Sequence, residues 1–338
     1  MKRQLLGVAA ILLSISTYAQ DNPLWMRYCA ISPDGTTIAF TYKGDIYTVP
    51  STGGRASQIT TNPAHDTKPI WSPDGKKIAF ASDRMGSMDI FEVNKEGGIP
   101  KRLTTHSGNE TPVAYKDAGH ILFLANIMPT AEDAQFPSGQ FQQVYEVNTE
   151  GGRPILFSSM PMEDISINHT GNTLLYHDKK GYEDPWRKHH TSSITRDIWL
   201  CSLNGNRTFR KQTAFNGEDR TPVWASDDKS FYYLSEEKGS FNIFKRDIDG
   251  NTSKQITNHT KHPVRFLSAA SNGTLCYGYD GEIYTVKEGA IPQKVQISIV
   301  TDKNDKDLIR DIPFVRCKGN CFCTTRRCIC HINRIQHY

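Results

Sequence analysis

The chain has 338 residues, 22% charged and 37% hydrophobic, with a formal net charge of +4. Seven of its cations sit at the two ends, Lys2 and Arg3 at the start and Arg316, Lys318, Arg326, Arg327 and Arg334 after Phe314, so the body between is slightly acidic. That excludes a nucleic-acid surface, which needs clustered positive charge.

Residues 1–19 read as a secretory signal peptide. Lys2 and Arg3 form the charged end, residues 5–15 the apolar stretch, and Thr17-Tyr18-Ala19 the small-residue cleavage site. The apolar stretch is too short to span a bilayer, which disfavours an uncleaved anchor and leaves no membrane span after cleavage. The expectation is export, to a bacterial periplasm or, alternatively, to the medium.

From residue 20 the chain is built of one repeating unit. Its clearest copy is 68–104. Pro69-Ile70-Trp71 opens it, Ser72-Pro73-Asp74-Gly75 turns it, and Ile78-Ala79-Phe80 follows. Asp89-Ile90-Phe91 is a third run, Gly97-Gly98 a second turn, and Arg102-Leu103-Thr104 the close. Proline pre-sets φ for the turn and paired glycines allow positive φ in a hairpin. Short β-branched and aromatic runs between such turns predict strands. The third-run pattern recurs as Asp45-Ile46-Tyr47, Gln143-Val144-Tyr145, Asp197-Ile198-Trp199, Asn242-Ile243-Phe244 and Glu282-Ile283-Tyr284. Six four-stranded units with a period near 40 predict an all-β, six-bladed β-propeller over residues 20–312. Blade three carries an insertion, 126–142, and blade four another, 177–196. Blade six lacks the Pro-Asp-Gly turn and uses Asn272-Gly273 instead.

Both insertions join the second and third strands of neighbouring blades, so they should lie side by side over one mouth of the channel. The candidate peptide-contact residues are Tyr182, Trp186, His189 and His190, with Phe136 and Phe141 from the neighbouring insertion. Aromatic and charged residues on a long loop suit binding, although an ordinary solvated loop has the same composition. No catalytic constellation is legible. There is no Gly-x-Ser-x-Gly or His-Glu-x-x-His, and Ser192 and Ser193 stand near His189 and His190 in sequence without a third group to orient a base. No metal or cofactor site is expected. His259 and His262 read as joint residues between blades, and residues 247–253 as a hairpin turn without the distal glutamate of a calcium loop. Cys29, Cys201 and Cys276 read as isolated small apolar fillers.

Residues 313–338 abandon the repeat as an irregular Cys-rich tail. Cys317, Cys321, Cys323, Cys328, Cys330 and His331 lack the paired Cys-x-x-Cys spacing of a zinc site. Read one base later, suitable synonymous codons from Phe314 onward can encode another blade opening. The tail is therefore taken as out of frame or disordered.

Ser-Pro-Asp-Gly before Ile-Ala-Phe, then Asp-Ile-Phe or Asp-Ile-Tyr, Gly-Gly and Leu-Thr or Ile-Thr resembles the TolB-type propeller repeat. The order of blades and insertions resembles the first, six-bladed propeller of tricorn-type serine peptidases. That resemblance implies a substrate-gating or peptide-binding module, without catalytic residues of its own, in an exported enzyme of proteolysis. Its partners would be peptides or unfolded segments, the downstream peptidase domains and, as a further option, a second copy of the chain. The alternative is a stand-alone periplasmic protein-binding propeller like TolB, disfavoured because the blades begin almost directly after the signal.

Overall fold

The computed structural model describes residues 23–127, 141–181 and 191–300, with the backbone of two short paired strands, Cys323–Thr324 and Arg327–Cys328. The first compact unit closes at Ile299. Among the described residues there is no helix.

Six four-stranded antiparallel sheets follow one another, each made of consecutive chain. Blade two comprises Asp66–Trp71, Lys77–Ser82, Asp89–Asn94 and Lys101–Arg102. The first strands of the other five are Arg27–Ile31, Thr111–Asp117, Met162–Ile167, Asp219–Trp224 and Arg265–Ala269. Each first strand touches that of the next blade, and the sixth returns to the first, so these strands form the inner wall.

The second and third strands are buried along most of their length because both faces of a blade are covered by its neighbours. Ile78 and Phe80 pack toward blade one, while Ala79 packs toward blade three. Six hydrophobic clusters result, one at each junction between neighbouring blades.

The turns follow the local chemistry. In Ser72-Pro73-Asp74-Gly75 the Gly75 amide donates to the Ser72 carbonyl (2.9 Å). The Ser72 hydroxyl donates to Asp74 (2.6 Å), and the Lys77 amide donates to that hydroxyl (2.9 Å). Ser32, Asp34 and Thr37 repeat the arrangement. The closing threonines lock the last strand to the third. Thr60, Thr104, Thr213 and Thr257 each accept from the amide of Ile46, Ile90, Ile198 or Ile243 at 2.9–3.0 Å. Trp71 and Trp224 donate their ring N–H to the preceding blade, at Ala30 and Ser166 carbonyls (2.9 and 3.0 Å).

The ring closes between blades six and one. The Met26 amide donates to the Gly281 carbonyl (3.1 Å) and the Ile31 amide to the Ser268 hydroxyl (3.0 Å). Beyond blade six, Ile297–Ser298 pairs in parallel with Gly54–Arg55 of blade one. Cys29 and Cys276, 247 residues apart in sequence, meet at this seam, both buried. They fill space as expected, but as a contacting pair, because ring closure joins the first blade to the last.

Candidate functional site at the channel mouth

An antiparallel blade places the start of its first strand, the end of its second and the start of its third on one face. Both insertions leave from that face. The second strand of blade three ends at Ala125 and its third begins at Gln143. In blade four the second strand, Thr173–Asp178, includes His177, so that insertion starts later than the expected residue 177. His177 pairs with Ile198 in register and belongs to the ladder. Tyr182, Trp186, His189, His190 and Phe136 lie outside the described residues, whereas Phe141 is half-buried just before the third strand of blade three.

The base of the blade-four insertion is tied down by charge. Lys180 pairs with Asp197 and donates to the Thr195 carbonyl (2.6 Å). Lys211 reaches the same carboxylate (2.9 Å). The Asp197 amide and the Trp199 ring N–H both donate to Asp178, at 2.8 and 3.1 Å.

On the same face the inner wall carries a feature that the periodicity does not reveal. Every first strand has a register break near its start. In five of them the bulge residue has positive φ, at Tyr28 (52°), Lys68 (54°), Asp164 (49°), Thr221 (49°) and Phe266 (58°). Such a backbone is costly for residues with a Cβ and persists where surrounding structure enforces it. The bulge turns these side chains out of the ladder toward the channel. The Tyr28 and Phe266 rings lie 4.8 Å apart, and the Lys68 ammonium sits 5.8 Å from the Tyr28 ring centre. On the other side the Thr221 hydroxyl donates to Asp164 (2.7 Å). Burial pushes the Tyr28 hydroxyl pKa up, and the Asp164 carboxylate on the opposite blade adds to that rise. Burial pulls the Lys68 pKa down against the attraction of Asp164 and Glu163, two blades away. Tyr28, Lys68 and Asp164 all stand on first strands, the strands that form the inner wall.

Further charges gather on the acidic side. Glu163 receives Lys179 (2.7 Å) and His177 (3.2 Å), with Arg196 at 3.5 Å. Burial opposes its ionisation, but the hydrogen bonds and charges of His177 and Lys179 outweigh it and hold the carboxyl well below the usual range. Arg196 and Arg220 both pair with Glu218 (2.7 Å).

The other residues singled out from sequence have local roles. His259 stacks on Tyr279 (3.9 Å) and shares a hydrogen bond with Tyr277 (2.9 Å), while His262 pairs with Asp280 (3.2 Å). Residues 247–250 form the expected turn, the Gly250 amide donating to the Asp247 carbonyl (3.0 Å). The Ser192 hydroxyl accepts from the Ile194 amide (3.2 Å). Among the described residues no group of His, Cys, Asp and Glu is arranged to hold a metal. Tyr28, Lys68, Asp164, Thr221 and Phe266 were missed. Their one sequence signal is their shared place before Cys29, Pro69, Ile165, Pro222 and Leu267 in the aligned blade openings.

Fold and site together define a closed six-bladed propeller with a polar and aromatic inner mouth. The family model described as the tricorn protease N-terminal beta propeller domain matches residues 23–290, and the chain belongs to that family. It is 25% identical over 281 residues to tricorn protease homolog 1 of Streptomyces coelicolor, covering 82% of this chain and 25% of that protein. It is 27% identical over 295 residues to the tricorn protease homolog of Saccharolobus solfataricus, covering 83% and 26%. The chain thus spans about a quarter of the length of these curated relatives. The crystal structure of the tricorn protease superposes with a TM-score of 0.69 at 20% identity, over 84% of this chain and 27% of that one. TolB from Acinetobacter baumannii shares the fold at a TM-score of 0.51 and 16% identity, over 80% of this chain and 57% of that one.

Proposed function

We propose that this propeller is a non-catalytic, peptide-binding and substrate-gating module of an exported tricorn-type serine peptidase. The observation that carries the reading is the coincidence of three features on one face: the strand ends from which two neighbouring insertions leave, the mouth of the channel, and an inner wall of aromatic and charged side chains. Extended peptides or unfolded segments suit such a mouth, because rings supply contact area at small entropic loss and fixed charges set orientation. The partners are peptides and the peptidase domains that follow the propeller in its relatives; the site of action is the periplasm.

The test uses Tyr182→Ala and Trp186→Ala in the full chain, measuring peptide binding and thermal melting side by side. Weaker binding with unchanged melting supports contact. Lower melting with unchanged binding makes the insertion a structural loop. The purified chain alone is expected to leave peptides uncleaved, and serine-directed labelling that depends on Ser192 or Ser193 would overturn that.

A further inference from the structure

Among the described residues, Cys29 and Cys276 are the two thiols that ring closure brings together. Cys29 belongs to the first strand of blade one, Arg27–Ile31, and Cys276 to the second strand of blade six, Leu275–Tyr279. Cα atoms of these two strands come within 8 Å of one another. The Ser268 hydroxyl lies 3.4 Å from both the Cys29 and the Cys276 carbonyl oxygens, and the Cys29 thiol donates to the Phe266 carbonyl (3.4 Å). A disulfide spans Cα atoms about 4.4–6.8 Å apart, so a small closing movement completes one. Both residues are free thiols in this structure.

The pair stands where the ring has no continuous chain. At two junctions of consecutive blades the same ladder places hold Ala39 with Pro69 and Leu175 with Pro222. Cys201 belongs to a different junction, between blades three and four. The seam between blades six and one is held by hydrogen bonds and the parallel strap.

We propose that Cys29 and Cys276 form a disulfide that clasps the ring shut when the protein meets a small-molecule or protein disulfide as oxidant. The step is two successive thiol–disulfide exchanges. The Cys29 thiolate attacks one sulfur of the oxidant, forming a mixed disulfide and expelling one thiolate. The Cys276 thiolate then attacks the Cys29 sulfur and expels the second. The two protons given up by the cysteines end on the two released thiols. Cys29 attacks first because it keeps 4% exposure where Cys276 keeps none. Burial suppresses both thiolates, so the exchange runs through an opened seam, and the bond then holds that seam closed. Its effect is large because it closes a loop containing nearly the whole propeller. An exported protein meets such oxidants. The reaction itself depends on ring geometry and is independent of the peptide-binding reading.

The experiment uses the full chain carrying Cys317→Ser, Cys321→Ser, Cys323→Ser, Cys328→Ser and Cys330→Ser, so that the tail cannot exchange. It is equilibrated with oxidised glutathione or with dithiothreitol. Free thiols are then alkylated in urea and the protein is digested with trypsin. The oxidised protein should give peptides 28–43 and 266–287 joined as one mass that dithiothreitol separates. Its melting temperature should lie about 5 °C or more above that of the dithiol form. Cys29→Ser and Cys276→Ser should each abolish this oxidation-dependent shift, whatever their own melting temperatures, and Cys201→Ser should keep it. Two separate alkylated peptides after oxidation overturn the proposal, as does a bridge to Cys201. A joined pair whose melting temperature is unchanged or lower overturns the clasp.

Discussion

Single buried groups give this ring its chemical character. Burial raises the Glu110 and Asp219 carboxyls to about 7. A folded pKa above the unfolded one means that the native state binds the proton more tightly. The stabilisation is therefore complete below the ordinary carboxylate pKa and is lost as pH rises through about 7. Glu163 works in the opposite sense: its contribution holds above the ordinary value and is lost as pH falls through its depressed one. Urea midpoints should accordingly be higher near about pH 5.5 than near about pH 8. Glu110→Gln and Asp219→Asn should each flatten that slope by roughly 1–2 kcal/mol; a slope unchanged in both variants refutes the assignment. Burial also raises the thiol pKa of Cys201 and Cys276. Thiolates are the reactive species, so iodoacetamide should leave both unlabelled in the native protein and label them in urea. Peptide mass spectrometry reads the result, and native labelling would mean that the seam or blade four opens readily.

Each element repeats one solution with small changes. The closing threonine is the sharpest example, since its hydroxyl satisfies an amide left over where the outer strand ends. Thr104→Val keeps the shape and removes the acceptor for the buried Ile90 amide. It should lower stability by about 1–3 kcal/mol, measured by urea unfolding. The strap of blade six makes a different demand. Gly53 has φ 92°, and a Cβ there would stand 2.6 Å from the Gln296 carbonyl oxygen. Gly53→Ala must therefore shift the strap or strain the turn, at a loss of roughly 2 kcal/mol or more. The structurally quieter Gly171→Ala has positive φ without a close neighbour and should lose less, about 1 kcal/mol. Equal losses at the two sites would show that the strap contributes little.

At the scale of the whole ring, cohesion comes from six similar junctions rather than from one core. Five join blades that are consecutive in the chain, and the sixth joins the two ends of the repeat. That junction lacks a covalent linker, so hydrogen bonds from Met26 and Ile31 and the parallel strap hold it. Opening there exposes the hydrophobic faces of blades one and six together. Hydrogen exchange should therefore find the amides of Met26 and Ala56 exchanging faster than that of Ile90, deep in blade two. Faster exchange at Ile90 would place the weak junction elsewhere.

The number of blades, the strand order and the turns were legible because they depend on residues close in sequence. Pro73-Asp74-Gly75 turns whatever lies around it, and an Ile or Val between a polar residue and an aromatic marks a third strand at every copy. The seat of both insertions followed from strand order alone. The channel wall was not legible. Tyr28, Lys68, Asp164, Thr221 and Phe266 come from five blades, and no periodicity links them. Alternation along a strand reports which face a residue occupies, but a bulge breaks that rule locally and ring closure decides what it then meets. The same holds for Cys29 beside Cys276. Local physical chemistry determined the blades, and only the closed ring determined which of their side chains share the passage.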